Sequence, residues 1–382
     1  MKALEVFSNR QFQCIAVSHL GSTLAMNLAV PILPVFFHGH GFSESQIGLL
    51  MGATAAGALF LRPWVGLTVD TKGSRPAILT GQLLIAVALT GYLVVSGFAA
   101  FFGLRLLFGV ALAFYGTGTV TFASSVETGE RATNAIAVYT LITMLAIGGA
   151  MGVSQLAFDS FGFTALVVAS LFSLAVAMST MLLRSRPIKP ASGGKRLPFF
   201  TVLRTNIILA TAACQFGASF TYGAIFTFIP LASLAAGVSF YSLFFISFAA
   251  LVLVSRFFVK RANELWGLEK TALYSNVALI VSILLLLVGI SPVSLVVAGA
   301  LFGAGFGLIF PTLVLLLVQR ISAASRGTSL SILIAAGDIG AALSAALLGS
   351  VAEHAGFQAL FVTAVAVLAA ISVFYFRRVA AD

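Results

Sequence analysis

Apolar and polar positions fall into long blocks along the chain. Runs of about 20 or more apolar residues are separated by short polar turns, and each run is long enough to cross a bilayer as a helix. Twelve such runs lie near 12–37, 46–69, 77–99, 101–125, 133–157, 162–183, 206–231, 239–259, 271–290, 293–318, 328–350 and 356–376. The pattern predicts an all-α membrane protein with twelve transmembrane helices, the first of them retained rather than cleaved as a signal peptide.

The composition supports a membrane location. Of the 382 residues, 60% are hydrophobic and only 8% are charged, whereas soluble domains contain roughly 25% charged residues. So few polar side chains cannot cover a globule in water. The two cysteines, Cys14 and Cys214, lie inside apolar runs, which indicates packing residues rather than a disulfide framework.

The basic residues lie mainly in alternate loops. Nineteen of the 21 Lys and Arg residues are in the termini and in every second loop, and the remaining loops hold none. Because cytoplasmic loops carry the excess of Lys and Arg, we predict that both termini are cytoplasmic in a bacterial-type inner membrane. The net charge of +10 then reflects topology and attraction to anionic membrane lipid, so we expect a lipid environment and no nucleic acid partner.

The chain repeats itself with an offset of 194 residues. The positions that match at this offset are Arg62 and Arg256, Asp70 and Glu264, Gly73 and Gly267, Phe108-Gly109 and Phe302-Gly303, Asp159 and Glu353, and Phe163 and Phe357. Three separate regions that match at one period indicate a duplicated unit. Between the copies, residues 184–205 contain six basic residues, no acidic residue and several Pro and Gly.

These features predict two bundles of six helices each, with pseudo-symmetry between them. The N-terminal bundle is expected at 1–183, the basic cytoplasmic linker at 184–205 and the C-terminal bundle at 206–382. Since the linker joins two cytoplasmic ends, both bundles have the same orientation. Parallel repeats of this kind occur in secondary transporters.

One polar turn carries a family motif. The sequence Gly66-Leu-Thr-Val-Asp70-Thr-Lys-Gly73-Ser-Arg75 resembles the loop motif between helices 2 and 3 of the major facilitator superfamily. Thr71 and Ser74 stand where that motif has arginines. The resemblance implies that Gly66, Asp70, Gly73 and Arg75 form a cytoplasmic gate, joined by Glu127 at the end of the fourth helix. Gly66 would let a neighbouring helix come close, and Gly73 would permit a tight turn. An ordinary solvated loop is the alternative.

Few ionisable residues lie at membrane depth, where each is costly and a functional candidate. They are His19, Arg62, Arg105 and Asp338. Arg105-Leu-Leu-Phe-Gly109 is similar to the helix 4 motif of proton-coupled superfamily members, with Phe108 in place of a glutamine. We therefore predict that Asp338, Arg105 and His19 take part in proton coupling. Each has a structural alternative, namely a carboxylate, arginine or neutral histidine that is hydrogen-bonded within the protein.

In this superfamily helices 1, 4, 7 and 10 line a central cavity. On the first and seventh predicted helices, the resemblance places Asn27, Gln215, Ser219 and Tyr222 as candidate substrate-binding residues. Amides, hydroxyls and aromatic rings with little fixed charge suit an amphiphilic or zwitterionic small molecule. The first functional prediction is export of a drug or a metabolite such as a metallophore by proton antiport with alternating access.

Two other functions stay open. The segment Gly148–Gly152 lacks the proline of the exporter motif in helix 5, so proton-coupled uptake of a small organic solute is the alternative. A non-transporting membrane sensor or lipid-handling protein is a third interpretation. The sequence contains no phosphate-binding Gly-x-x-x-x-Gly-Lys-Ser/Thr motif. We therefore expect no enzyme activity, no catalytic residue, no metal and no cofactor, and we expect the chain to act as a monomer.

Overall fold

A computed structural model describes residues 6–125, 130–182, 205–321 and 326–379, and the regular structure in these ranges is helical without strands. The first half contains α1 (Arg10–Ala29), α2 (Leu33–Gly39), α3 (Glu44–Lys72), α4 (Ser74–Val94), α5 (Phe98–Ser125) and α6 (Glu130–Ala177), followed by a 3₁₀ turn at Met178–Leu182. The second half contains α7 (Asn206–Ala235), α8 (Ser242–Trp266), α9 (Leu268–Val288), α10 (Pro292–Arg320) and α11 (Arg326–Val379). An all-α fold is therefore confirmed.

Nine stretches of the described helices are long and apolar enough to cross a membrane. Two of them, Asn134–Thr180 and Thr328–Val379, have 47 and 52 residues, about twice the length that one crossing needs. The backbone leaves the helical conformation within each, at Gly162 and Gly356. Each stretch therefore holds two of the predicted membrane helices. Because α3 is not among the nine, the count of twelve stays a prediction.

The first apolar run is not one continuous helix. The sequence predicts a single helix over 12–37, but α1 ends at Ala29 and α2 begins at Leu33. Pro31 and Pro34 have no backbone N–H to donate, and a proline ring inside a helix clashes with the carbonyl four residues earlier. The prediction of one unbroken helix was wrong here for that reason, although Arg10–Gly39 as a whole is still long enough to span a membrane.

The chain divides into two compact units. The first comprises the described parts of Met1–Phe36 and Ala53–Ser192, and the second those of Phe37–Gly52 and Gly193–Asp382. The early segment Phe37–Gly52 thus belongs to the second unit, where the Ser45 N–H donates to Glu353 Oε2 at 3.1 Å. Apart from Thr205, the predicted linker at 184–205 lies outside the described residues.

The backbone repeats at the same offset as the sequence. Gly73 and Gly267 each separate two consecutive helices, with φ of 85° and 78°. Gly162 and Gly356 have the same relationship, with φ of 77° and 81° inside α6 and α11. This left-handed region is open to glycine at little steric cost. Equivalent turns in both units therefore depend on equivalent glycines.

Helix packing repeats in the same way. A Cβ atom on Gly109 of α5 would overlap the Thr54 carbonyl oxygen of α3, within the first unit. A Cβ atom on Gly303 of α10 would overlap the Phe248 carbonyl oxygen of α8, within the second. Both pairs are related by the 194-residue offset. Close backbone approach at small residues is a common way for membrane helices to associate, so these two glycines fix equivalent helix contacts.

Candidate functional site

His19 lies in α1 and is 4% exposed. Its Nδ1 atom is 2.7 Å from the Tyr115 hydroxyl of α5, and its Nε2 atom is 2.7 Å from Thr143 Oγ1 of α6. The imidazole also stacks on the Tyr139 ring, with 4.0 Å between ring centroids. His19 therefore joins three helices of the first unit.

The hydrogen bonds around His19 fit a neutral imidazole. Thr143 Oγ1 donates its proton to the Tyr139 carbonyl oxygen at 2.9 Å, so it accepts from the N–H at His19 Nε2. His19 Nδ1 then accepts from the Tyr115 hydroxyl, because a neutral imidazole has one donor and one acceptor nitrogen. A second proton on Nδ1 would turn the Tyr115 proton towards another acceptor, such as the His19 carbonyl oxygen at 3.4 Å. This geometry fits the structural alternative for His19, and its role in proton coupling stays a prediction.

Arg105 lies in α5 and is 4% exposed. Its guanidinium carbon is 5.8 Å from the centroid of the Phe108 ring, and the guanidinium interacts with the Tyr92 hydroxyl of α4. Arg105 and Tyr115, the His19 partner, are ten residues apart on one helix, which places them about 15 Å apart along its axis. The structure therefore does not bring Arg105 and His19 into one cluster.

Asp338 lies half-buried in α11, in the second unit, and follows a close contact between α7 and α11. A Cβ atom on Gly337 would lie 3.1 Å from both Gln215 Nε2 and Ser219 Oγ. Three residues later, a Cβ atom on Gly340 would overlap the Phe216 carbonyl oxygen. The structure thus brings the backbone beside Asp338 together with two of the predicted substrate-binding residues.

Gln215, Ser219 and Tyr222 share one face of α7 because they are spaced four and three residues apart. Gln215 is 6% exposed, and its Nε2 donates to Ser219 Oγ at 3.0 Å. Its Oε1 atom is buried and has no hydrogen-bond partner in the described parts of the chain. This oxygen is therefore available to a donor group on a ligand.

Tyr222 continues this face of α7 into an aromatic cluster. Its ring stacks on Phe226, with 3.9 Å between centroids, and on Phe306 of α10, with 4.8 Å. Phe248 of α8 packs nearby, with its ring centroid 6.2 Å from that of Tyr222. Tyr222 and Phe306 are half-buried, whereas Phe226 and Phe248 are buried. The two half-buried rings can therefore contact a ligand while the other two support them.

The fourth predicted substrate residue, Asn27, is half-buried in α1 of the first unit. Its Nδ2 atom donates to the Thr23 carbonyl oxygen one turn earlier in the same helix, at 2.8 Å. This bond leaves the amide oxygen of Asn27 as the group that can accept from a ligand.

The predicted gate lies at the junction of α3 and α4. Gly73 occupies the turn, and Arg75 follows half-buried in the first turn of α4. A Cβ atom on Gly66 would meet nothing within 4 Å among the described atoms, so the close helix approach that we expected there is not observed. The side chain of Asp70, that of the deep Arg62 and all of Glu127 lie outside what the structure describes.

Sequence reasoning missed two buried amides. Gln82 of α4 is fully buried, and its Nε2 lies 3.0 to 3.1 Å from four acceptors on α1, α6 and the 3₁₀ turn. These acceptors are Ser18 Oγ, Ser22 Oγ, the Ala177 carbonyl oxygen and Thr180 Oγ1. In the second unit, Asn276 Nδ2 of α9 donates to Ser372 Oγ at 3.1 Å and to Cys214 Sγ at 3.4 Å. The 194-residue offset relates the two amides and would have identified them.

Comparison with known families supports one assignment over the whole chain. The family model of the Major Facilitator Superfamily matches residues 15–261 and 211–382. An uncharacterized MFS-type transporter of Burkholderia mallei is 30% identical over 366 residues, which cover 91% of this chain and 86% of the relative. The uncharacterized MFS-type transporter YhhS of Escherichia coli is 27% identical over 375 residues, or 94% and 90% of the two chains.

Solved structures show the same fold. A mutant of the nucleoside transporter NupG has a TM-score of 0.78 at 16% identity, covering 96% of this chain and 99% of its own. A bacterial homologue of the human lysosomal transporter Spinster has a TM-score of 0.73 at 13% identity, covering 96% of each chain. At these identities the similarity concerns the fold alone. The family match over the whole chain, with which this fold agrees, shows that the chain is a multi-pass membrane transporter rather than an enzyme and belongs to the major facilitator superfamily.

Proposed function

We propose that this transporter exports a small amphiphilic or zwitterionic molecule, such as a drug or a metallophore, by proton antiport with alternating access. The observation that carries the proposal is the position of Asp338. It directly follows Gly337, against which Gln215 and Ser219 of the neighbouring helix are packed. When a proton carrier lies beside the groups that contact the substrate, binding of the proton and binding of the substrate can compete.

The energetic basis of the coupling is the cost of a charge inside the membrane. A carboxylate at the centre of a membrane helix costs roughly 2.5 to 3.5 kcal/mol on insertion scales, so the protonated form is favoured until water enters. In the proposed cycle, Asp338 takes up a proton when its side of the cavity is open to the outside. Substrate that enters from the cytoplasm then promotes release of that proton inward.

The substrate class follows from the groups on the face of α7. The buried Oε1 atom of Gln215 can accept a hydrogen bond, and the half-buried rings of Tyr222 and Phe306 can contact an apolar or flat surface. A molecule with a hydrogen-bond donor beside an apolar ring can bind both to the amide oxygen and to the aromatic rings. We propose Asn27 as a further polar contact from α1.

We further propose a cytoplasmic gate at the turn around Gly73, formed by Gly66, Asp70, Gly73 and Arg75 with Glu127. Its support is the motif and the positive φ of 85° at Gly73. The proposed topology places both termini in the cytoplasm of a bacterial inner membrane, with the chain acting as a monomer. Arg105 is assigned an indirect role in proton coupling, in which its guanidinium holds an anion or a nearby carboxylate.

The decisive test is the exchange of Asp338 for Asn in reconstituted vesicles. Asp338→Asn mimics the protonated carboxyl group, so we expect loss of accumulation driven by a pH gradient but retained substrate binding. Proton release upon addition of substrate should vanish as well. Asp159→Asn is a matched control, because Asp159 is exposed at the polar turn before Gly162. Proton release at the wild-type stoichiometry in Asp338→Asn would refute the role of Asp338.

The second candidate function is proton-coupled uptake of a small organic solute. The flat aromatic surface of Tyr222 and Phe306 favours a ligand with a planar ring. A nucleoside is one suitable probe, because NupG, whose structure has a similar fold, is a nucleoside transporter. The direction of transport separates the two functions. In vesicles of known orientation, one side is acidified and the direction of substrate flux is measured. Flux towards the acidified side indicates antiport, and flux away from it indicates symport.

A further inference from the structure

The second unit contains a cavity that the proposed transport function does not use. It has a volume of about 800 Å³ and lies around the turn at Gly267, between the adjoining ends of α8, α9 and α10. Its charged lining residues are Arg256, Lys260, Lys270 and Arg320 together with Glu264 and Glu269. With four basic and two acidic side chains, the cavity has an excess of positive charge.

The ion pairs in the cavity account for only half of its basic side chains. Lys260 Nζ lies 3.8 Å from Glu264 Oε1, and Arg320 contacts Glu269. Within the described ranges, Arg256 and Lys270 form no ion pair. The charge of these two residues is therefore available to an anion.

Two residues that line this cavity also have a buried hydrogen-bond donor. Arg256 Nε and Asn263 Nδ2 are buried and have no hydrogen-bond partner among the described residues. The two residues are seven positions apart on α8, so they lie on the same helix face. Thr312 of α10 donates to Asn263 Oδ1 at 3.1 Å, which orients the amide. Buried donors without partners are rare in native proteins, and binding of an anion is one explanation for them.

The edge of the cavity has the composition of a membrane interface. Trp266 lines the cavity, is 47% exposed and packs edge-on against Tyr274, with 5.4 Å between ring centroids. Leu265 beside it is 60% exposed. Trp and Tyr are enriched where membrane and water meet. The cationic cavity is therefore next to a surface that acyl chains can cover.

We propose that this cavity binds the phosphate group of an anionic ligand. A guanidinium forms paired hydrogen bonds with phosphate oxygens, and the Asn263 amide and Lys270 supply further donors. The volume of about 800 Å³ leaves room for more than a bare phosphate ion. Two sources share this chemistry, the headgroup of an anionic phospholipid and a soluble phosphate.

The test uses Trp266 as a reporter in the full-length protein. The chain contains two tryptophans, so a Trp64→Phe background leaves only the one that lines the cavity. In detergent micelles this protein is titrated separately with phosphatidylglycerol, with diacylglycerol of the same acyl chains, and with inorganic phosphate. We expect a saturable fluorescence change with phosphatidylglycerol but not with diacylglycerol. A further response to inorganic phosphate at millimolar concentration identifies the soluble source as competent too.

The variants test the assignment of the cavity. Arg256→Gln should weaken the binding at least tenfold, and Asn263→Asp, which places a negative charge at the buried donor, should do the same. Arg261→Gln is the matched control, because Arg261 is exposed on the same helix and does not line the cavity. Gel filtration and thermal unfolding identify any variant that does not fold. An equal response to diacylglycerol, no saturable response, or wild-type binding in both folded cavity variants would overturn the proposal.

Discussion

Gln82 and Asn276 lie 194 residues apart, and each places a fully buried amide between three elements of its own unit. Gln82 of α4 reaches α1 and the end of α6, and Asn276 of α9 reaches α7 and the end of α11. Buried polar groups away from water are stabilising only when they are hydrogen-bonded. The repeat thus preserves a polar connection at the same place in both units, although one amide is longer by a methylene group.

The Gln82 connection predicts a large effect on stability. Gln82→Leu removes the two N–H groups that Ser18, Ser22 and Thr180 share as donors and leaves these buried hydroxyls with fewer partners. We expect the free energy of unfolding to fall by about 1 to 3 kcal/mol, the usual cost of leaving a buried polar group unsatisfied. Gln13→Leu is the control, because it removes an amide of α1 that makes only an exposed hydrogen bond, to the Phe7 carbonyl oxygen. Thermal unfolding in detergent measures both, and equal stability of the two variants would show that the amide contributes nothing.

The close approach at Gly109 predicts a second effect on stability. Gly109→Ala would force the added Cβ atom into the Thr54 carbonyl oxygen, so α3 and α5 must move apart. Overpacking of this kind costs about 1 to 3 kcal/mol. Gly103→Ala and Gly116→Ala, on the same helix, meet no described atom within 4 Å and serve as controls. They should be neutral or slightly stabilising, because Ala favours helix more than Gly. If all three variants unfold at one temperature, the contact at Gly109 is not tight in solution.

The neutral state assigned to His19 predicts that it does not carry the transported proton. In His19→Gln an amide can donate to Thr143 and accept from Tyr115, so the three-helix connection is partly retained. We expect transport within about threefold of wild type and unchanged proton stoichiometry. His19→Phe should instead lower the unfolding temperature, since the Thr143 and Tyr115 hydroxyls lose their common partner. A lower proton stoichiometry in folded His19→Gln would restore His19 as a proton site.

Glu353 predicts a stability change with pH. It lies at the polar turn before Gly356, and hydrogen bonds from the Ser45 side chain, then from Ser43 and the Ser45 backbone, lower its pKa. Because the folded-state pKa is the lower one, this stabilisation is complete above the ordinary pKa of 4.5 and is lost as pH falls through the folded value. Since the group is fully exposed, salt should weaken the effect.

The measurement compares unfolding temperatures of wild type and Glu353→Gln at pH 7 and at pH 3.5. Wild type should be the more stable at pH 7, and the difference should be smaller at pH 3.5, which lies below the ordinary pKa of 4.5, because the stabilisation is lost as pH falls. Asp159→Asn controls for general loss of negative charge, since Asp159 occupies the equivalent position at the 194-residue offset. If the difference in unfolding temperature between wild type and Glu353→Gln is the same at both pH values, the hydrogen bonds from Ser45 to Glu353 do not contribute to stability.

The sequence predicted much of the fold because membrane helices leave strong signals. Apolar runs located the helices, and the 194-residue repeat matched Gly73 with Gly267 before the structure showed that both have positive φ. Helix ends were less certain, since polar residues such as Lys260 and Glu264 extend α8 to Trp266, seven residues past the predicted end at 259. A helix can continue into water, so hydropathy marks the membrane and not the last helical residue.

The candidate site was less predictable than the fold. The resemblance placed Gln215 and Ser219 on the seventh helix, but it did not place them beside Gly337, because contacts between distant helices depend on packing that no local pattern records. For His19 the sequence left two roles open. The positions of its partners Tyr115 and Thr143 depend on helix packing, so the sequence could not identify them.

The aromatic face of α7 predicts that substrate affinity depends on the Tyr222 ring and not on its hydroxyl. Tyr222→Phe keeps the stack on Phe226 and Phe306, whereas Tyr222→Leu removes it. Aromatic contacts contribute about 0.5 to 1.5 kcal/mol beyond buried area, and the loss of ring area adds to this. We expect KM within threefold of wild type for Tyr222→Phe and at least tenfold higher for Tyr222→Leu. Phe257→Leu, at a ring that is 74% exposed on α8, controls for loss of an aromatic residue elsewhere. Equal KM values for Tyr222→Leu and Phe257→Leu would show that the substrate does not contact this face, and the substrate class would then have to be sought from the side of Asn27.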